Sequence, residues 1–354
     1  MFSGFYGNSE IAGQLAQLAA EPGRLPQTIL LGGPEGVGKA TLARRFGAAL
    51  LGGGQGKIEQ DDLSVESNRE LIADREKWTA EKRNEDPLFF SSHPDFLTFP
   101  PDGPLRQISI QQMRLLKERA QFKPLQGPRR VFLIDGIDRA NEHAANSLLK
   151  TLEEPPEHLV ILMTAKNAYD LLPTIRSRAV QFQLAPLAGA ELSAFLESRG
   201  APDAGRRAAL AAGSPGLALA LDLESYDQRR TAMLALLGVA AEREPFAAWA
   251  RYSESLGARK TEKLEFFLDV LYILLEDLLL ISLGAEGVRN ADIRRELGAL
   301  AGQVSFDWIR RAVGKVDELA ELVQRNIQKS IALDALAMQL RSPARYSRIG
   351  YSTS

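Results

Sequence analysis

Gly33-Pro34-Glu35-Gly36-Val37-Gly38-Lys39-Ala40-Thr41 is the stretch on which the fold turns. It follows a short apolar run, Thr28-Ile29-Leu30-Leu31, and opens a helical pattern from Lys39 to about Leu51. Strand, glycine loop and helix form the opening unit of an α/β domain, and G-x4-G-K in that setting is a P-loop. The glycines let successive backbone N–H groups turn toward an anion, and the helix start adds its positive end. Lys39 supplies an ammonium for the β- and γ-phosphates. Gly33, Gly36, Gly38 and Lys39 are therefore candidate nucleotide-binding residues. The next position departs from a working loop, in which a Ser or Thr hydroxyl binds Mg²⁺. Ala40 has no hydroxyl, and Thr41 points about 100° further round the helix. Nucleotide binding is compatible with this loop, but its magnesium site is damaged.

A second acidic site lies about 100 residues downstream. Val131-Phe132-Leu133-Ile134-Asp135 reads as a buried strand that delivers a carboxylate at its C-terminal edge. Such an Asp faces the P-loop across the switch point of the sheet.

Working outward, residues 8–20 read as a helix, 93–99 as a strand and 108–122 as an amphipathic helix. Residues 141–153 read as a helix stopped by Pro155-Pro156, 159–163 as a strand ending at Thr164, and 180–184 as the last strand. Alternating strands and helices imply a parallel sheet covered on both faces. After Pro186 the strands stop. The expected organisation is an α/β P-loop domain over 1–186, a small helical lid over 187–240, an all-α domain over 245–341, and a disordered tail from Ser342. Between the P-loop helix and the strand at 93, Gly52-Gly53-Gly54-Gln55-Gly56 reads as a flexible spacer. The charge-dense stretch after it, to residue 92, reads as an exposed, solvated insertion without chemistry of its own.

The totals exclude several classes of function. A chain of 354 residues fits two or three domains, and 45% hydrophobic with 25% charged residues is ordinary for a globular protein. A net charge of -2 supplies no whole-chain field for DNA, so any contact needs a local patch or a partner. Lys123, Arg129 and Arg130 could form such a patch or an ordinary solvated face. The absence of cysteine excludes disulfides and thiolate metal sites. His93, His143 and His158 are too scattered for a metal site. The N-terminus has no basic run followed by an apolar stretch, so no signal peptide is expected. Leu264 to Leu283 is long and apolar enough to raise the membrane question. It carries Glu265, Asp269, Glu276 and Asp277, the first three on one narrow face, which points to a helix packed on a core. The expected compartment is the cytoplasm.

Three further motifs carry a resemblance. Arg24-Leu25-Pro26-Gln27 precedes the first strand. Asn146-Ser147-Leu148-Leu149-Lys150-Thr151-Leu152-Glu153-Glu154-Pro155-Pro156 ends a helix. Leu171-Leu172-Pro173-Thr174-Ile175-Arg176-Ser177-Arg178-Ala179 leads into the last strand. Together with the P-loop they resemble the bacterial clamp-loader subunits of the AAA+ family over residues 5–220. The helices toward the C-terminus, including Asn326 to Leu340, resemble the oligomerising collar more loosely.

The resemblance implies roles. Arg178 matches the arginine finger that enters a neighbouring subunit's ATP site, while Arg176 is expected to be structural; an ion pair is the plainer alternative for Arg178. Thr164 matches the sensor 1 position, with a strand-capping hydroxyl as the plainer alternative. Active AAA+ ATPases carry a Glu after the strand-end Asp; here it is Gly136, with Asp138 nearby. Gly213-Ser214-Pro215-Gly216 resembles the sensor 2 motif, in which active loaders have an arginine where Gly216 stands. The family often carries a four-cysteine zinc module where 52–92 lies, so zinc is not expected. The resemblance thus implies a subunit that does not hydrolyse ATP, with no required cofactor and possible ATP in a degenerate site. Its implied partners are the other loader subunits (gamma/tau and delta), with a sliding clamp and primed DNA met through the assembly. An active motor subunit similar to gamma/tau is the alternative. It would carry Ser or Thr at position 40, an acid at 136 and an arginine near 216. An AAA+ protein outside replication is a third reading, opposed by the 171–179 motif.

Overall fold

The structure, a computed structural model, describes residues 2, 4–258, 262–322 and 328–341. The expected tail from Ser342, and Asn326 in the collar-like segment, lie outside the described residues. Contacts divide the chain into two compact units, 1–204 with 211–219 and 205–210 with 220–354. The helix Leu223–Ala240, placed with the lid by the sequence reading, packs into the second unit, because Met233, Leu236 and Leu237 join the apolar core there.

The first unit is built on six strands: β1 (Thr28–Gly32), β2 (Phe90–His93), β3 (Phe96–Phe99), β4 (Arg130–Ile134), β5 (Leu159–Ala165) and β6 (Val180–Gln183). Their order is β2-β3-β4-β5-β1-β6. The central strands are apolar at successive positions because both faces are covered. Ile29, Leu31, Val131, Leu133, Val160 and Leu162 pack on one side with α1 (Ser9–Ala20) and α2 (Lys39–Leu50). Leu30, Phe132, Ile134, Ile161 and Met163 pack on the other.

Two expectations need correction here. The strand expected over 93–99 is a hairpin, with β2 antiparallel to β3, so the sheet is mixed rather than wholly parallel. Pro94 cannot donate to a ladder. Asp95 leaves the strand to accept hydrogen bonds from the backbone N–H groups of Leu125, Gln126 and Gly127 at 2.7, 2.7 and 2.9 Å.

The stretch 52–92 is also more than a solvated helix. It folds as α3 (Gln55–Ile58), α4 (Glu66–Arg75) and α5 (Ala80–Glu85), and it buries Ile58, Ile72, Asp61 and Arg75. Arg75 Nη2 donates to Asp102 at 2.8 Å and Nη1 to Asp86 at 3.1 Å, with the Trp78 ring 4.5 Å from the guanidinium. A buried arginine reads as a solvated one until its partner, 27 residues away, is brought to it.

The remaining helices of the sheet layer are α6 (Ile110–Ala120), α7 (Glu142–Glu153) and the single turn α8 (Pro173–Arg176). They are followed by α9 (Gly189–Ser198), α10 (Ala204–Leu210) and α11 (Pro215–Ala220).

The second unit has its own core around Trp249, Phe267, Leu271, Leu274 and Leu336. The Glu265–Ser282 helix lies in that core, with Glu265, Asp269 and Glu276 exposed. Its buried Asp277 accepts from the backbone N–H groups of Arg289 and Asn290 at 2.6 and 2.9 Å. Among the described residues, no helix is long and apolar enough to cross a membrane.

Candidate functional site: a degenerate P-loop and a remote arginine

The P-loop leaves the C-terminal end of β1 in a conformation that calls for glycine at Gly33, Gly36 and Gly38, all with positive φ. Gly33 has φ 141° and Gly36 φ 75°. An added Cβ would lie 2.5 Å from Leu184 O at the first and 2.8 Å from Leu217 N at the second. Lys39 Nζ donates to Gly33 O and Pro34 O, both at 2.6 Å. Burial pushes the Lys39 ammonium below its usual range, against the opposing charges of Asp135, Asp138 and Glu35. The start of α11 reaches the same loop through backbone: Gly216 N–H donates to Gly36 O at 2.8 Å, and an added Cβ would lie 3.1 Å from that oxygen. Gly216 is thus fitted to a close backbone approach that a side chain would crowd.

Asp135 directly follows β4 and Thr164 sits near the end of β5, whose register pairs Thr164 with Leu31. The Thr164 hydroxyl donates to Asp135 Oδ1 at 2.7 Å and accepts from Gly136 N–H at 2.7 Å. This pair joins the C-terminal ends of β4 and β5, on one side of β1 and its loop. Thr164→Val would leave the Gly136 N–H without its partner and Asp135 without its donor. About 1–3 kcal/mol of destabilisation is expected, read as a lower urea midpoint at unchanged slope. Gly136, at φ 86°, has no side chain for activating water. Asp138 is fastened elsewhere, its Oδ2 accepting from Lys166 N–H at 3.1 Å.

Arg178 lies at the other end of the sheet. The parallel register pairs Ile29 with Val180, so Arg178 precedes the N-terminal end of β1, whereas the P-loop follows its C-terminal end. The strand between them is five residues, about 16 Å. Arg178 and the chain's own P-loop therefore cannot serve one phosphate. Arg178 Nη2 donates to Glu153 Oε1 at 2.5 Å, and Nη1 to Thr174 O at 2.7 Å and Ser177 Oγ at 3.4 Å. The ion pair foreseen as the plainer alternative is thus present. Arg176 stacks its guanidinium 5.4 Å from the exposed ring of Tyr169.

Sequence reasoning assigned no role to Gln27 or Glu153. Gln27 Nε2 donates to Pro156 O at 2.7 Å and Leu159 O at 3.3 Å. This ties the turn after α7 to the start of β1. Both residues stand inside the quoted motifs, which was the available signal. Their partners lie too far away in sequence for spacing to reveal them.

The basic residues divide. Arg130 is buried, its Nη1 donating to Arg119 O at 2.7 Å, so it fastens β4 rather than facing DNA. Lys123 is exposed. The histidines stay apart, with His93 accepting from Asp95 N–H at 3.2 Å and His158 Nε2 at 3.2 Å from Ala120 O. Among the described residues, no group of three or more His, Asp or Glu side chains could hold a metal ion.

Comparison with known proteins bears on this arrangement. Residues 7–188 match the family model described as DNA polymerase III, delta subunit. The chain is similar to the DNA polymerase III subunit delta' of Pseudomonas aeruginosa, 30% identical over 337 residues, covering 88% of this chain and 91% of that protein. It is also similar to subunit delta' of Escherichia coli, 32% identical over 236 residues, covering 65% of this chain and 68% of the relative. Among solved structures, a gamma-subunit-related protein of Thermotoga maritima aligns with 20% identity and a TM-score of 0.43, over 93% of this chain and 98% of the other.

Proposed function

Since the chain belongs to the DNA polymerase III delta-prime family of clamp-loader subunits, we propose that it is a scaffold that hydrolyses no ATP itself and completes a neighbour's ATP site with Arg178. The observation that carries this reading is the placement of Arg178 at the opposite end of the sheet from the chain's own P-loop. A cation there can meet a triphosphate only if a second subunit brings one. The in-line displacement spreads charge over the γ-phosphoryl oxygens, and a guanidinium fork is shaped to meet it.

The chain's own site supports the same division of labour. Gly33, Gly36, Gly38 and Lys39 fit a phosphate cradle. Ala40 offers no hydroxyl to Mg²⁺, Gly136 no base to water, and Gly216 no cation to the γ-phosphate. ATP in this loop, if bound, would steady the lid and the sheet without being turned over. A four-cysteine zinc module cannot form, since the chain has no thiolate. The partners are other loader subunits, gamma/tau and delta, with the sliding clamp and primed DNA reached through the assembly. The helical unit would form the collar, and 187–204 with 211–219 the lid. The compartment is the cytoplasm, where replication proceeds.

The purified chain alone is expected to show no ATP turnover. Added to gamma/tau and delta subunits with clamp and primed template, it is expected to be required for stimulated turnover and to co-sediment with them. Turnover by the chain alone would favour an active motor, and failure to co-sediment would remove it from a loader.

A further inference from the structure

Among the described residues, Glu153 is the acidic side chain that holds Arg178, and its position is built rather than incidental. It closes α7, whose Leu148 and Leu152 pack in one cluster with Ile175 of α8. The chain then turns through Pro155-Pro156, and Gln27 pins that turn to β1 through Pro156 O at 2.7 Å and Leu159 O at 3.3 Å. The backbone repeats the tie, with Ile161 N–H donating to Gln27 O at 2.7 Å. On the other side Thr174 O and Ser177 Oγ take Arg178 Nη1, while Glu153 Oε1 takes Nη2 at 2.5 Å. Residues of the second and third motifs thus meet at one guanidinium, and Gln27 of the first pins the turn that follows Glu153.

Resting on the reading that Arg178 acts in trans, we propose that Glu153 is a positioning residue that preorganises Arg178 for the neighbouring subunit's triphosphate. An unheld arginine loses much side-chain freedom when it docks, and a held one has lost it already. The pair is partly exposed, side chains 31% and 48%, so its worth to folding is small and its use is geometric. An incoming phosphoryl oxygen can take Nη2 while Thr174 O keeps Nη1 in place.

The test uses the reconstituted loader with clamp and primed template, and it measures kcat and KM for ATP. Variants carry Glu153→Ala, Glu153→Gln, Arg178→Ala, or Glu153→Ala with Arg178→Ala. Glu153→Ala is expected to lower the loader's total kcat by a smaller factor than Arg178→Ala does, about twofold, with KM within about twofold. Glu153→Gln, which keeps an acceptor oxygen, is expected to restore most of the loss. The double variant is expected to be no slower than Arg178→Ala alone, because both act through one group. Wild-type or raised kcat in Glu153→Ala, or losses that multiply in the double variant, would overturn the positioning role while Arg178 stands. A silent Arg178→Ala would overturn the trans reading itself, and the role of Glu153 with it.

Discussion

Arg178→Ala is expected to slow ATP hydrolysis at the adjoining subunit's site by about 10³-fold or more, the scale of an arginine finger. Any turnover at other sites of a loader sets a floor, so the total clamp- and primer-stimulated rate should fall by a smaller factor. Assembly should survive, because the partner lost is one partly exposed carboxylate, and pairs of that kind contribute about 0–1 kcal/mol. Arg178→Lys should remain well below wild type, since an ammonium keeps the charge but loses the planar fork. The measurement is steady-state turnover of the reconstituted loader, with co-sedimentation as the control for assembly. Unchanged turnover by Arg178→Ala in an intact assembly would mean that Arg178 is only the ion-pair partner of Glu153.

Asp102→Ala is expected to cost about 3–5 kcal/mol of stability in the sheet-bearing unit. Asp102 takes Arg75 through Nη2 at 2.8 Å and Nε at 3.1 Å, and both side chains are nearly out of solvent. Truncation leaves a guanidinium buried against Trp78 with only Asp86 to answer it. At about 2–4 °C per kcal/mol for a domain of this size, the melting temperature should drop by about 10 °C. Replacing the pair together, Arg75→Met with Asp102→Leu, should recover much of the loss, because no charge is then stranded. A drop below about 1 kcal/mol in Asp102→Ala would mean that water reaches Arg75 and that the segment is held some other way.

The sequence by itself determined the P-loop and which side chains stand along it. Spacing along the chain is enough to place Gly33, Gly36, Gly38 and Lys39 on one loop, because a strand, a turn and a helix start are local structures. Ala40 and Gly136 are legible for the same reason, each a missing side chain at a position fixed by its immediate neighbours. The strand ending in Asp135 and the amphipathic helix at 264–283 were also legible, from apolar runs and the placement of charges. What the tertiary structure decided was everything that depends on distant partners. It showed that the 93–99 strand is a hairpin, turned out by Asp95 to meet loop residues 30 and more positions later. It buried Arg75 and Arg130, which read as surface charges because a sequence does not show what lies across from a side chain. It set Arg178 at the far end of the sheet from Lys39, through strand order rather than spacing. It also gathered Gln27, Glu153 and Arg178 at that end, because parallel strands return every crossover to the same side and bring residues more than 100 positions apart within a hydrogen bond.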